Sequence, residues 1–140
     1  MRLKYKTTNV GSDKIPLLDV IITNPENDRK VSYTALLDSG AFMNVFHSDI
    51  AEILAIDLTK IKKEIGFGGV GTTPSSFKGK PYIVNLMVAQ KGKSHSFDSY
   101  VLFSDNINPD GQPLLGRQGF LDQFSKVEMS LKTNSFYLYK

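Results

Sequence analysis

The 140-residue chain contains no cysteine. That excludes a disulfide scaffold, a cysteine nucleophile, a thiolate zinc site and an iron–sulfur cluster. Histidine is nearly as scarce: the 2 present are His47 and His95. A metal site built mainly from imidazoles is therefore not expected, and both histidines read as surface or loop residues. No metal and no cofactor is expected. Charge of one sign is also lacking: 17 basic residues face 14 acidic ones, for a net charge of +3. The lysines are scattered, a pattern that favours solubility and does not point to nucleic acid. No apolar run approaches the roughly 20 residues needed to cross a bilayer. The opening stretch MRLKYKTTNV lacks the apolar run of a signal peptide. The expected setting is soluble and cytoplasmic, with neither membrane nor nucleic acid as a partner.

What is present suits a folded chain. Hydrophobic residues make up 41% and charged residues 22%, and the length fits a single domain over 1–140 with one core. Two apolar runs, Leu17–Ile22 and Val31–Leu37, flank a segment from Asn24 to Arg29 whose Asn, Pro and Asp favour bent backbone. They read as a β-hairpin whose second strand ends in the core. A short helix is expected next, capped by Ser48, with Asp49 and Glu52 in its first turn and Ile50, Ile53 and Leu54 forming an apolar stripe. Pro81–Ala89 and Phe97–Phe103 read as strands around a turn at Gln90–Lys93. Phe120, Leu121 and Phe124 suit a second short helix, and Lys126–Ser130 and Ser135–Tyr139 read as strands around Thr133-Asn134. Many short strands with one or two short helices argue for an all-β barrel or sandwich.

Three clusters could carry chemistry. Gly66-x-Gly68-x-x-Gly71 matches the dinucleotide fingerprint in form, but Pro74 and a run of Thr and Ser follow where a helix would have to start. A phosphate-binding loop fails as well, because Thr72 stands where its lysine is required. The plain reading is a glycine-rich hairpin tip; a small nucleotide hydrolase is the weaker alternative. Asp38-Ser39-Gly40 also occurs around serine-protease nucleophiles, but that chemistry needs a base and an orienting acid, and Leu37 precedes Asp38 where that motif has Gly. Asp, Ser and Gly are equally common turn residues. What sets Asp38 apart is its place straight after Ala35-Leu36-Leu37. A carboxylate carried out of the core is costly to bury and useful when its proton affinity is shifted.

The stretch Thr34-Ala35-Leu36-Leu37-Asp38-Ser39-Gly40-Ala41 resembles the active-site loop of retropepsin-like aspartic proteases, apolar-apolar-Asp-(Thr/Ser)-Gly-Ala. Gly68-Gly69-Val70-Gly71 resembles that family's glycine-rich flap tip. Leu114-Leu115-Gly116-Arg117, followed by Phe120 and Leu121, resembles its late apolar-apolar-Gly-Arg motif and short helix. The likeness runs in order over residues 16–140. Phe42 stands where many viral members carry a second Asp that contacts the late Arg.

The resemblance implies an all-β, retropepsin-like acid-protease barrel with a flap hairpin, and an aspartic endopeptidase without cofactor acting on a peptide or protein. Such chemistry needs two carboxylates around one water, and this chain has one Asp-Ser-Gly. The second acid would be Asp38 of another copy in a twofold homodimer. Ser39 would fix the pair's geometry, Gly40 would let substrate approach, and Val70 would place an apolar residue at the flap tip. The closing strand Ser135–Tyr139 would offer a free edge to the partner. The alternative is a peptide-binding or interaction module of the same fold without significant proteolysis.

Overall fold

A computed structural model describes residues 1–68 and 77–140. Among the described residues the strands are β1 (Arg2–Lys6), β2 (Thr8–Val10), β3 (Asp13–Ile15), β4 (Leu17–Thr23), β5 (Lys30–Leu37), β6 (Asn44–His47), β7 (Ile65–Phe67), β8 (Phe77–Gln90), β9 (Lys93–Ser104), β10 (Leu114–Leu115), β11 (Lys126–Ser130) and β12 (Ser135–Tyr139). One α-helix, α1 (Ser48–Ile53), and two single-turn 3₁₀ helices at Leu58–Lys60 and Leu121–Gln123 complete them. The chain is all-β, as the sequence implies.

Six strands close into a barrel in the order β4-β5-β10-β6-β9-β8, with β8 returning to pair with β4. The expected first hairpin is β4 and β5, in antiparallel register from Leu17↔Leu36 to Thr23↔Lys30. Leu18, Val20 and Ile22 alternate inward on β4, and Ala35 and Leu37 do so at the end of β5. The connection bends where expected. Asn24 is buried at 2% exposure because its side chain donates to Leu54 O (3.0 Å) and accepts from Glu26 N (3.1 Å). It thereby ties the hairpin turn to the end of α1.

The β8–β9 hairpin is longer than the apolar runs suggest, pairing from Lys80↔Phe103 to Gln90↔Lys93. Its turn is made by Lys91 (φ 48°) and Gly92 (φ 79°). Helix α1 begins as expected, but its N-cap is His47, whose Nδ1 accepts from Asp49 N (3.1 Å), and not Ser48. Ser48 instead donates its hydroxyl to Asp105. Ile50 and Leu54 are buried, whereas Ile53 is 47% exposed, because a helix this short presents only one narrow face to the barrel. His95 is not a loop residue either. It lies on β9 with its ring against Phe97 and Phe124, at 5.1 and 5.3 Å between centroids.

A second sheet holds β1, β12 and β11 in that order, all antiparallel. This overturns the expectation that Ser135–Tyr139 is a free edge. β12 is the central strand, with Phe136 and Leu138 fully buried between partners on both sides. The edges are β1 and β11. On the core side, Leu3 and Tyr5 of β1 are covered, while Val127 and Met129 of β11, the register partners of Leu138 and Phe136, remain 38% and 46% exposed. The opposite side carries Tyr137 and Tyr139 under cations, with the Arg2 guanidinium 5.1 Å from the Tyr137 ring and Lys126 Nζ 4.8 Å from that of Tyr139.

Tyr5 gives this sheet a pH signature. Its ring stacks on Phe136 at 5.1 Å, its hydroxyl is buried with no partner among the described residues, and burial, aided by the charge of Asp19, pushes its pKa up from 10.0 to about 12. Above pH 10 the unfolded chain loses a proton that the folded chain keeps. The contribution is thus complete below pH 10 and is lost as pH rises through 12, about 2–3 kcal/mol in all. Urea unfolding across this window, with tyrosinate absorbance, should show the decline in wild type and a much flatter profile in Tyr5→Phe.

Candidate active site

The loop after β5 is fixed by a strand that arrives from far along the chain. β10 is two residues long and inserts between β5, to which it is parallel (Leu114↔Leu36, Leu115↔Leu37), and β6, to which it is antiparallel (Leu114↔Val45). Leu36 N donates to Pro113 O (2.8 Å) and Asp38 N to Leu115 O (2.9 Å). The chain then turns at 38–41, closed by Ala41 N to Asp38 O (3.1 Å). Arg117 N returns to Ala41 O and Gln118 N to Phe42 O, both at 2.9 Å. Residues 38–42 are thus bracketed by 115–118, and the two motifs that the sequence places far apart form one unit.

Gly116 occupies the tightest point of this crossing. A Cβ there would fall on the carbonyl of Met43 and 2.9 Å from Ala41 O. Its N–H donates to Oδ1 of Asn44 (2.9 Å). Asn44 is fully buried and spends its amide on Ser99 Oγ (3.2 Å) and Tyr100 O (3.3 Å), so that one side chain joins β6, β9 and the late motif. Every polar atom of that side chain is satisfied, which makes its burial affordable.

Asp38 faces a cavity of about 660 Å³. Its Oδ1 accepts from Gly40 N (2.9 Å), which orients the carboxylate. A Cβ on Gly40 would sit 3.2 Å from the same oxygen, so glycine keeps the acid uncrowded. The expectation of a carboxylate buried by its own chain is not met. β5 ends at Leu37, and Asp38 is half-buried at the cavity mouth. The walls are mainly apolar, from Phe67, Phe77, Leu102, Ile107 and Leu114, with Asn106 and Asn108 as uncharged polar neighbours. Asp38 and Arg117 are the charged side chains among the described lining residues.

Of the residues singled out in the sequence, Asp38, Gly40, Ala41, Gly68 and Arg117 meet at this cavity. Ser39 is exposed and does not line it; Leu115 is buried in the core, and Gly116 acts through the backbone crossing. Gly69, Val70 and Gly71 lie outside the described residues. The strands on either side of that stretch, β7 and β8, pair antiparallel from Ile65↔Gly79 to Phe67↔Phe77, with the Phe67 and Phe77 rings 5.7 Å apart. The described strands on either side of the glycine-rich stretch are thus antiparallel neighbours, whereas a dinucleotide site needs parallel strands. Phe67, Phe77 and Ile107 were not anticipated as site residues; their sequence signal, isolated apolar residues beside glycine or polar loops, is shared by many surface turns.

No family model and no curated protein matches the chain by sequence. Among solved structures, a retropepsin-like aspartic protease from Rickettsia conorii superposes with a TM-score of 0.60 at 20% identity, covering 99% of this chain and 91% of that one. The protease of EIAV complexed with the inhibitor HBY-793 aligns with a TM-score of 0.41 at 21% identity, over 79% of this chain and 88% of the other. The first likeness, together with the six-stranded closure and the paired loop crossing, identifies the fold as retropepsin-like.

Proposed function

We propose that the chain is one half of an aspartic endopeptidase whose catalytic pair is Asp38 and the Asp38 of a second copy. The observation that carries this reading is a lone, backbone-oriented carboxylate at the mouth of an apolar cavity wide enough for peptide side chains. Two such carboxylates brought together around a twofold axis cannot both ionise at short range, so the pair shares one proton. The ionised member takes a proton from water, and the water oxygen bonds to the scissile carbonyl carbon. The protonated member donates to the carbonyl oxygen. The C–N bond then breaks as the departing nitrogen takes the proton that the first carboxylate removed from water, and the second carboxylate takes one back from a hydroxyl of the tetrahedral carbon, which leaves the new carboxylic acid and restores the shared proton. The apolar walls bind the substrate's side chains, while β7, β8 and the glycine-rich segment between them act as a flap that meets an extended peptide as an added strand.

The second copy is best accommodated at the β11 edge. It leaves Val127 and Met129 exposed at 38% and 46%, with Leu131 of the following turn at 63%. The β1 edge instead carries Arg2, Lys4 and Lys6, all exposed, whose like charges oppose self-pairing. The test is a single dilution series read by sedimentation and by cleavage of a peptide library. Specific activity should fall in step with dimer dissociation. Full activity in a monomer would overturn the shared pair, and peptide binding without cleavage at any concentration would favour a binding module.

A further inference from the structure

Arg117 is a cation without an anion. It is exposed and lines the same cavity as Asp38. The ion pairs among the described residues are His47–Asp49 and Lys126–Glu128, and residues 69–76 contain no acid. No carboxylate of its own chain therefore engages the guanidinium. Its backbone, in contrast, is held firmly: Arg117 N donates to Ala41 O (2.9 Å), and Arg117 O accepts from Asp122 N (3.1 Å). The flanking Gly116 and Gln118 are tied to Asn44 and Phe42. Phe42, 55% exposed, lines the same cavity and offers it an open aromatic surface.

A guanidinium fork on a fixed backbone matches a carboxylate with two parallel hydrogen bonds. Apolar walls strengthen such a pairing relative to open water. We propose that Arg117 is a specificity residue that binds a carboxylate of the substrate peptide, so that the site selects chains carrying an acidic group at one position relative to the scissile bond. The inference rests on the protease reading for the identity of the ligand, and its test is built to be read without cleavage.

Binding is measured by fluorescence anisotropy on the Asp38→Asn protein with labelled peptides of one apolar sequence. In one set a single Glu is walked along an amidated peptide; a second set has Gln at the same positions; a third has Gln and a free C-terminal carboxylate. One Glu position should bind about tenfold more tightly than its Gln counterpart, with the gap narrowing in salt. Preference confined to the third set would assign the contact to a chain end and not to an acidic side chain. Adding Arg117→Gln should bring the Glu/Gln ratio close to one, Arg117→Lys should leave an intermediate ratio, and Arg117→Glu should favour Lys at the same position. Melting curves of each variant establish that it is folded. Absence of any Glu or terminal preference, or a preference that survives Arg117→Gln, would overturn the proposal. So would a shift of the dimer dissociation constant in Arg117→Gln with the peptide ratio untouched, since the guanidinium would then serve the second copy. A carboxylate preference in a wild-type chain that cleaves neither these peptides nor the library would count against the protease reading and leave the contact between Arg117 and a peptide carboxylate standing.

Discussion

Asp38→Asn should reduce peptide cleavage by at least about 10³-fold while the thermal transition stays within a few degrees of wild type. The amide keeps the shape of the carboxylate and can still accept from Gly40 N, the bond that orients the group at 2.9 Å. What it loses is the negative charge and the exchangeable proton on which activation of water depends. Half-burial at a cavity mouth means that little core packing changes with the substitution. Turnover and melting must be measured on the same preparation. A folded variant with undiminished cleavage would remove Asp38 from the chemistry, whereas joint loss of fold and activity would assign it a structural role.

Gly116→Ala should act in the opposite sense, through the fold first. The added methyl meets the Met43 carbonyl and lies 2.9 Å from Ala41 O, and both are backbone atoms that cannot rotate away. Relief requires β10 to withdraw from the loop it brackets, which weakens Asp38 N to Leu115 O and Gly116 N to Asn44 Oδ1, each 2.9 Å. Overpacking of this kind costs about 3 kcal/mol, or a melting temperature lowered by roughly 10 °C. Because the same displacement moves Ala41 and the Asp38 turn, activity per folded molecule should fall as well. A variant with wild-type melting behaviour would show that the crossing tolerates expansion and is not what locates the carboxylate.

Local chemistry made part of this molecule legible. The β4–β5 hairpin was visible because Asn24, Pro25 and Asp28 interrupt two alternating runs, and the β11–β12 hairpin because Asn134, at φ 54°, supplies the left-handed residue its turn needs. Asp38 stood out because a carboxylate directly follows apolar core residues. The resemblance then associated it with Gly116 and Arg117, and the two stretches do meet through their backbones, Asp38 N to Leu115 O and Arg117 N to Ala41 O. What stayed hidden was pairing between distant segments. The Leu3/Tyr5 alternation in β1 is too short and too basic to announce a strand, yet it covers one side of β12 and turns an expected edge into a centre. Asn44 reads as a loop residue because its partners, Ser99 and Gly116, lie 55 and 72 positions away. β10, with two residues, has no period at all. Val127 and Met129 stay exposed although their register partners Leu138 and Phe136 are buried, because β11 is an edge strand of its sheet, a position that alternation alone cannot encode.

The insertion of β10 between β5 and β6 also bears on how the chain acquires its structure. The hairpins β4–β5 and β8–β9 connect near neighbours and can form early, since the loops that they close are short. The barrel cannot shut until Leu114 and Leu115 reach the gap between two strands completed long before them. Contacts of such high sequence separation raise the contact order and slow folding toward the millisecond-to-second range seen for β-rich chains. The Asp38 turn, held by those same residues, is therefore organised late, and a partly folded chain keeps a barrel seam open while its carboxylate remains unpositioned. Competence at the cavity becomes a readout of complete folding, acquired only when the last strand of the barrel locks into place.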